Sequence, residues 1–119
     1  RFDRVTFGYG HGRAGVRGVD LTIPPGQKVG IVGASGAGKS TLVSLMLRLY
    51  DAEEGRVLVD GHDVRRVTQE SLRRQIGMVT QETAMFNRSA RDNIRYGRPD
   101  ADEAAVVAAA TAAEADGFI

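Results

Sequence analysis

The segment Gly33-Ala-Ser-Gly-Ala-Gly38-Lys39-Ser40 carries the clearest chemistry in the sequence. Its spacing is G-x-x-x-x-G-K-[ST], the form of a loop that cradles phosphate with its backbone. Gly33, Gly36 and Gly38 allow the chain to fold tightly enough for successive N–H groups to converge on one anion, and the small residues Ala34, Ser35 and Ala37 leave room for it. Lys39 is a compact ammonium able to reach the outer phosphates of a nucleoside triphosphate. Ser40 offers a hydroxyl to a Mg2+ ion bridging the same phosphates, and Thr41 adds another hydroxyl nearby. The plain alternative is a glycine-rich turn. Against it, only Lys28 and Lys39 among the 16 basic residues are lysines. A planar guanidinium would not replace an ammonium at position 39.

A loop of this kind needs a strand before it and a helix after it. Lys28-Val-Gly-Ile-Val32 has the continuous apolar run of a central strand buried on both faces, and it leads straight into Gly33. From Lys39 the spacing turns helical, with Leu42, Leu45, Met46 and Leu49 on one face and an end expected near Tyr50 and Asp51. Ahead of the loop, Arg4 to Tyr9 and Val19 to Ile23 alternate as half-buried strands of an antiparallel sheet. A Gly-rich turn over Gly8 to Gly15 follows the first, and a Pro24-Pro25-Gly26 turn follows the second. Arg56 to Asp60 reads as a short strand ending in an Asp60-Gly61 turn, with extended chain resuming at Val64. Thr68 is expected to cap a short helix through Arg74. Ile76-Gly-Met-Val-Thr80 reads as a second buried strand, with Gln81 emerging at its end. Helices are expected over Asn87 to Tyr96 and, capped by Asp100 or Asp102, over about Ala101 to Asp116 with Gly117 as the stop. One aspartate invites a false reading: Val57-Leu-Val-Asp60 imitates the apolar strand that ends in a magnesium-binding carboxylate. The following Gly61 favours a turn instead.

Charge and composition exclude several classes of function. Of 119 residues, 16 are basic and 15 acidic, so a net charge of +1 gives no bulk attraction to nucleic acid or anionic lipid. The absence of cysteine removes disulfides, thiolate metal sites and cysteine nucleophiles. The most apolar stretch, Ala104 to Ala113, is far short of the roughly 20 residues of a membrane-spanning helix. Arg1 at the start, and Phe118 with Ile119 at the end, suggest a piece of a longer protein. The arginine-over-lysine bias and abundant alanine suggest a GC-rich bacterial source.

The blocks Val5-Thr-Phe-Gly-Tyr9, Gly33 to Thr41, Gly55-Arg-Val-Leu-Val-Asp-Gly61, Gln81-Glu-Thr-Ala-Met-Phe86 and Asp92-Asn-Ile-Arg-Tyr-Gly97 follow one another in the order and spacing of ABC-transporter ATPase domains. The sequence resembles that family along nearly its whole length. Asn93 to Gly97 followed by an alanine-rich helix resembles the exporter branch in particular. The resemblance implies an α/β fold, a partial P-loop NTPase core with an antiparallel β-subdomain. It makes residues 1–119 the N-terminal portion of a nucleotide-binding domain, ending before the signature segment and the Walker B strand with its catalytic glutamate. It implies ATP and Mg2+ as cofactors and matches Tyr9 to the aromatic that stacks on adenine. Gln81 is matched to the glutamine that approaches magnesium and the attacking water, and Ser40 to the magnesium hydroxyl. Glu82 to Asn93 corresponds to the surface on which a coupling helix of the membrane domain docks. The implied partners are that transmembrane domain and a second nucleotide-binding domain in a head-to-tail dimer, with no nucleic acid, at the cytoplasmic face of the membrane.

His11 and His62 match no catalytic position, and Arg65, Arg66, Arg73 and Arg74 read as solvated faces. Two rival functions share the phosphate loop. An ATP-gated sensor or assembly module would lack the exporter-like block Asp92 to Gly97, and a small-molecule kinase or GTPase would lack Tyr9, Gln81 and the Asp-Gly hairpin.

Overall fold

Alternation around Val5 produces a strand, β1 (Phe2–Phe7), that becomes the middle of a sheet. In this computed structural model, which describes residues 1–10, 15–82 and 84–119, the chain divides into two units, Arg1–Gly77 and Met78–Ile119. The first holds β1 with β2 (Val16–Leu21), β3 (Glu54–Val59) and the short β4 (His62–Asp63). The sheet order is β2-β1-β3-β4, and every pair is antiparallel. Part of the expected Gly8 to Gly15 turn, residues 11–14 with His11, lies outside the described residues, as does Thr83.

A bulge in β1 settles its register. Phe2 is out of phase with Val5 and Phe7, yet all three are buried. Arg4 at φ 49° takes up the extra residue. On one side Phe2 pairs with Leu21 and Val5 with Val19; on the other Asp3 pairs with Arg56 and Thr6 with Glu54, so both ladders shift across Arg4. Such an insertion re-aims the side chains beyond it. Gly55 answers it from β3: at φ 74°, a Cβ there would run into the carbonyl oxygens of Asp3 and Arg4. The turn between β3 and β4 is the expected Asp-Gly hairpin, with positive φ at Asp60 (49°) and Gly61 (81°), the geometry of a type I′ turn. Asp60 is therefore a turn residue.

Against this sheet lies α1 (Lys39–Met46), whose Leu45 joins Phe2, Val5, Phe7, Val16, Val57, Val64 and Leu72 in one core, with Leu42 and Met46 packed at its margin. Full burial of a side chain such as Leu45 is worth about 1.5–3 kcal/mol. The helix stops a turn earlier than its apolar spacing predicts. Arg48 at φ 51° ends it, with the Arg48 N–H donating to the Leu45 carbonyl (3.1 Å) and the Leu49 N–H to the Ser44 carbonyl (2.8 Å), the paired bonds of a Schellman turn. Leu49 leaves the apolar stripe and is exposed. Arginine tolerates the left-handed position because its guanidinium is used: Nη1 donates to the carbonyls of Val64 (3.1 Å) and Val67 (3.0 Å), and Nε to Asp51 (3.1 Å).

Beyond β4 the chain tightens into a 3-10 turn, Val64–Arg66, where extended structure is expected, because the Asp63 carboxylate accepts from the Arg65 N–H at 2.9 Å. Then α2 (Gln69–Arg73) starts on Thr68, whose hydroxyl accepts from the Ser71 N–H at 3.2 Å. The arginines here are less idle than solvated faces. Arg65 pairs with Asp63 (3.1 Å) and Arg74 with Glu70 (2.8 Å), while Arg73 Nε donates to the Leu47 carbonyl (3.3 Å) at the end of α1.

The two expected central strands do not form. Lys28 to Val32 and Ile76 to Thr80 are irregular, with Val32 94% and Val79 97% exposed. A strand buried on both faces exists only between paired neighbours. Among the described residues none pairs with either segment.

The second unit contains α3 (Ala90–Arg95) and α4 (Glu103–Ala112). Ser89 caps α3, accepting from the Asp92 N–H (3.1 Å) and donating to the Asp92 carboxylate (2.7 Å). Asp102, one of the two expected caps, accepts from the Ala105 N–H at 2.8 Å. Helix α4 ends well before Gly117. Glu114 takes the left-handed position at φ 55°, with the Ala115 N–H closing on the Ala110 carbonyl at 2.8 Å. Arg91 and Glu103 join α3 to α4 at 2.9 Å.

Candidate functional site

The glycine loop is built from the turn upward. The Ala37 N–H donates to the Ala34 carbonyl at 3.1 Å, and Gly36 (φ 81°) and Gly38 (φ 87°) supply two left-handed residues in close succession. A Cβ on Gly38 would lie 2.6 Å from Val16 Cγ1 and 3.0 Å from the Gly15 carbonyl oxygen, so the loop is held against the start of β2 where only glycine fits. Lys39 Nζ spans the loop, donating to the carbonyls of Gly33 (2.6 Å) and Ala34 (2.8 Å).

Gly38 is also the residue on which α1 starts. No side chain caps it, and the first turn carries no acidic residue. The leading N–H groups of this eight-residue helix are thus directed at the loop together with the positive end of its dipole. This is the electrostatics that an anionic group requires, and Lys39 brings a full positive charge to the same turn. Ser40 stands exposed on that turn. Among the described residues, no three His, Cys, Asp or Glu side chains gather around a cation position. A magnesium ion here would draw on the Ser40 hydroxyl and on phosphate oxygens, the usual sparse protein contribution for that ion.

The remaining hydroxyl is committed elsewhere. Thr41 is 4% exposed, and its Oγ1 shares a hydrogen bond of 3.2 Å with the Tyr9 hydroxyl. Tyr9 follows the end of β1, and this bond ties it to the first turn of α1. The Tyr9 ring stays partly exposed, with Phe7 and Tyr50 packed edge-on against it. The first unit therefore brings together Tyr9, the loop with Gly33, Ser35, Gly36, Ala37 and Gly38, and Lys39, Ser40 and Thr41. Gln81 belongs to the second unit, where it is exposed.

Two contributors are not evident in the sequence. Tyr50 reaches Tyr9 only because α1 ends at Arg48, and Arg48 carries no glycine-like signal of a helix stop. In the second unit, Asn93 staples the segment before α3: its amide nitrogen donates to the carbonyls of Phe86 (3.1 Å), Arg88 (3.3 Å) and Ser89 (2.9 Å), and its amide oxygen accepts from the Phe86 N–H at 2.8 Å. Phe86 stacks on Tyr96 with ring centroids 4.5 Å apart. An apolar hollow beside them is lined by Ala84, Met85, Ala90, Ile94 and Phe118.

The family model described as ABC transporter matches residues 16–117. An uncharacterized ABC transporter ATP-binding protein of Haemophilus influenzae is 53% identical over 119 residues, which are 100% of this chain and 19% of that protein. A mitochondrial iron-sulfur clusters transporter of Aspergillus fumigatus is 51% identical over 119 residues, 100% of this chain and 16% of its own length. The chain thus spans about a fifth or less of the length of these curated relatives. Among solved structures, a bacterial Atm1-family ABC exporter with ATP bound superposes with a TM-score of 0.90 at 47% identity, over 98% of this chain and 21% of the exporter's. With a glycine loop that opens α1 beside an antiparallel sheet, and with these relatives, the chain belongs to the ABC transporter family and has the fold of its ATPase domain.

Proposed function

We propose that residues 1–119 are the N-terminal portion of the nucleotide-binding domain of an ABC exporter, and that this portion binds ATP with Mg2+. The observation that carries the reading is the joining of two features at one helix start: an uncapped, acid-free N-terminus with Lys39 across its loop, and a partly exposed tyrosine bonded to Thr41. The first suits a triphosphate and the second a base. In this reading the loop N–H groups and Lys39 hold the phosphates, Ser40 and Gln81 serve the magnesium ion, and Tyr9 stacks on adenine. Lys39 and Gln81 would act in hydrolysis, Lys39 on developing phosphate charge and Gln81 on the attacking water.

The parent protein would couple ATP hydrolysis to export across a membrane at whose cytoplasmic face this domain sits. Its partners would be a transmembrane domain and a second nucleotide-binding domain, paired head to tail. The likeness to a solved exporter that holds ATP supports both the ligand and the export reading. The apolar hollow beside Met85 and Phe86, held in shape by Asn93, suits the docking of a helix from the membrane domain. The composition suggests a bacterial source.

The test is calorimetric titration of the intact protein that carries this chain with magnesium and a non-hydrolysable ATP analogue, beside Lys39→Ala and the matching GTP analogue. Affinity should fall at least about tenfold in Lys39→Ala, as loss of a charge-assisted phosphate contact implies, and be weaker for the guanine analogue. Equal affinity in the native protein and in Lys39→Ala would overturn the assignment.

A further inference from the structure

Three aromatic rings meet beside the start of α1. Phe7 and Tyr9 lie 5.0 Å apart with planes at 85°, Tyr9 and Tyr50 lie 5.3 Å apart at 87°, and Phe7 and Tyr50 lie 5.2 Å apart at 35°. Edge-to-face packing is the arrangement that ring quadrupoles favour. The Tyr9 ring is therefore gripped by two neighbours, while its hydroxyl is bonded to Thr41 at 3.2 Å. These contacts matter because β1 ends at Phe7, so no ladder bond of that strand fixes the backbone of Tyr9.

Of the three partners, Phe7 closes β1 two residues before Tyr9, and Thr41 belongs to the phosphate-loop helix. Tyr50 comes from outside both. It is delivered by the Schellman turn at Arg48, whose guanidinium is pinned to the carbonyls of Val64 and Val67 and to Asp51. Tyr50 remains 46% exposed, more than sealing the core would leave it, and its ring packs on the other two.

We propose that Tyr50 is a positioning residue for the base end of the nucleotide site: it holds the Tyr9 ring in a fixed orientation beside the phosphate loop, so that the purine of a nucleoside triphosphate meets a preset stacking surface. The proposal rests on the ATP-binding reading above. A ring left free to turn would lose rotamer freedom each time a base stacked on it, and that loss falls on affinity for the base alone. The phosphate contacts would come from the loop and Lys39, with which Tyr50 shares no hydrogen bond among the described residues.

The experiment measures the affinity of the intact protein carrying this chain for a non-hydrolysable ATP analogue and for inorganic tripolyphosphate, both with magnesium. The variants are Tyr50→Ala, Tyr50→Leu, Tyr50→Phe and Tyr9→Ala, each verified as folded by circular dichroism. Tyr50→Ala and Tyr50→Leu should weaken the ATP analogue about two- to tenfold, the range of an aromatic pair and an ordered side chain, and leave tripolyphosphate unchanged. Tyr50→Phe should restore native affinity, since the ring makes the contacts. Tyr50→Leu keeps apolar bulk and carries the test if Tyr50→Ala does not fold. Equal weakening of both ligands would overturn the proposal, because it marks general damage to the unit. Native affinity for the ATP analogue in Tyr50→Leu, with a clear loss in Tyr9→Ala, would overturn it while leaving the stacking role of Tyr9 standing. No loss in Tyr9→Ala would remove that role and the proposal with it.

Discussion

Asp3 stands opposite Arg56 across the β1–β3 ladder and bonds to it at 2.9 Å, with Arg1 and Arg4 each 3.8 Å away. The Arg56 hydrogen bond, aided by the charges of all three arginines, holds the Asp3 carboxyl below its usual range, and Arg65 does the same for Asp63. A carboxyl depressed in the folded state favours folding fully above its unfolded value, about 3.9, and loses that contribution as pH falls through the folded value. Melting temperature should therefore drop below about pH 4, and the drop should be shallower in Asp3→Asn. Gly38 answers to a different constraint, since both its φ of 87° and the contact with Val16 exclude a side chain. Gly38→Ala is expected to destabilise by about 2 kcal/mol or more in chemical denaturation. Adding Val16→Ala should cost less than the sum of the two changes, because it removes the obstructing methyl. At this scale the site is largely legible in the sequence. The grouping of Gly33 to Thr41 follows from local spacing, and Tyr9 lies beside it through its bond to Thr41. The engagement of Thr41 by Tyr9 is not legible, because it depends on where β1 comes to rest against α1.

The elements are terminated by side chains more than by glycines. Arg48 and Glu114 both occupy left-handed positions, and neither residue type announces a helix stop. For this reason the apolar spacing carries α1 to near Tyr50 and Asp51 and Gly117 stands as the expected stop of α4, whereas Thr68 and the pair Asp100 and Asp102 are residue types whose oxygen competes for backbone N–H groups and can be read directly as cap candidates. Arg48 separates two effects that usually coincide. Arg48→Gly removes the guanidinium bonds to Val64 and Val67 but suits φ 51°, whereas Arg48→Ala removes the bonds and keeps the strain. Both variants should be less stable than the native protein, with Arg48→Ala lower than Arg48→Gly by about 1 kcal/mol in denaturant titration. Asp102→Ala should cost about 1 kcal/mol through loss of the α4 cap, and Asp102→Asn much less. If the aspartate and alanine proteins melted together, the 2.8 Å bond to the Ala105 N–H would carry no stability.

For the whole molecule, the consequential departure from the sequence pattern is that two runs composed like core strands stay unpaired. Hydrophobic content and β-branching specify what Lys28 to Val32 and Ile76 to Thr80 are suited to, but a ladder is a property of two segments, and no partner for either occurs among the described residues. Amide hydrogen exchange is the sensitive probe. Val29, Ile31 and Val32 should exchange rapidly in this 119-residue chain. On the proposed reading, a longer protein that pairs both edges of that segment should protect them by at least about tenfold more. Equal protection in the two would mean that the segment finds its partners within residues 1–119 after all.

The strand order β2-β1-β3-β4 also sets a timetable for the growing chain. At the ribosome β1 can acquire β2 early, but its other edge must wait until the residues around Val57 have emerged, since Phe2 pairs with Val57. By then the glycine loop and α1 have already been made, and they have only half of the sheet to settle on. The hairpin at Asp60-Gly61 closes locally and quickly, bringing in β3 with Val57, while Val64 and Leu72 arrive just behind to complete the surface under Leu45. The glycine loop is thus finished by residues synthesised after it, and a nascent chain that has emerged only as far as the stretch between Asp51 and Gly61 holds α1 complete and its support not.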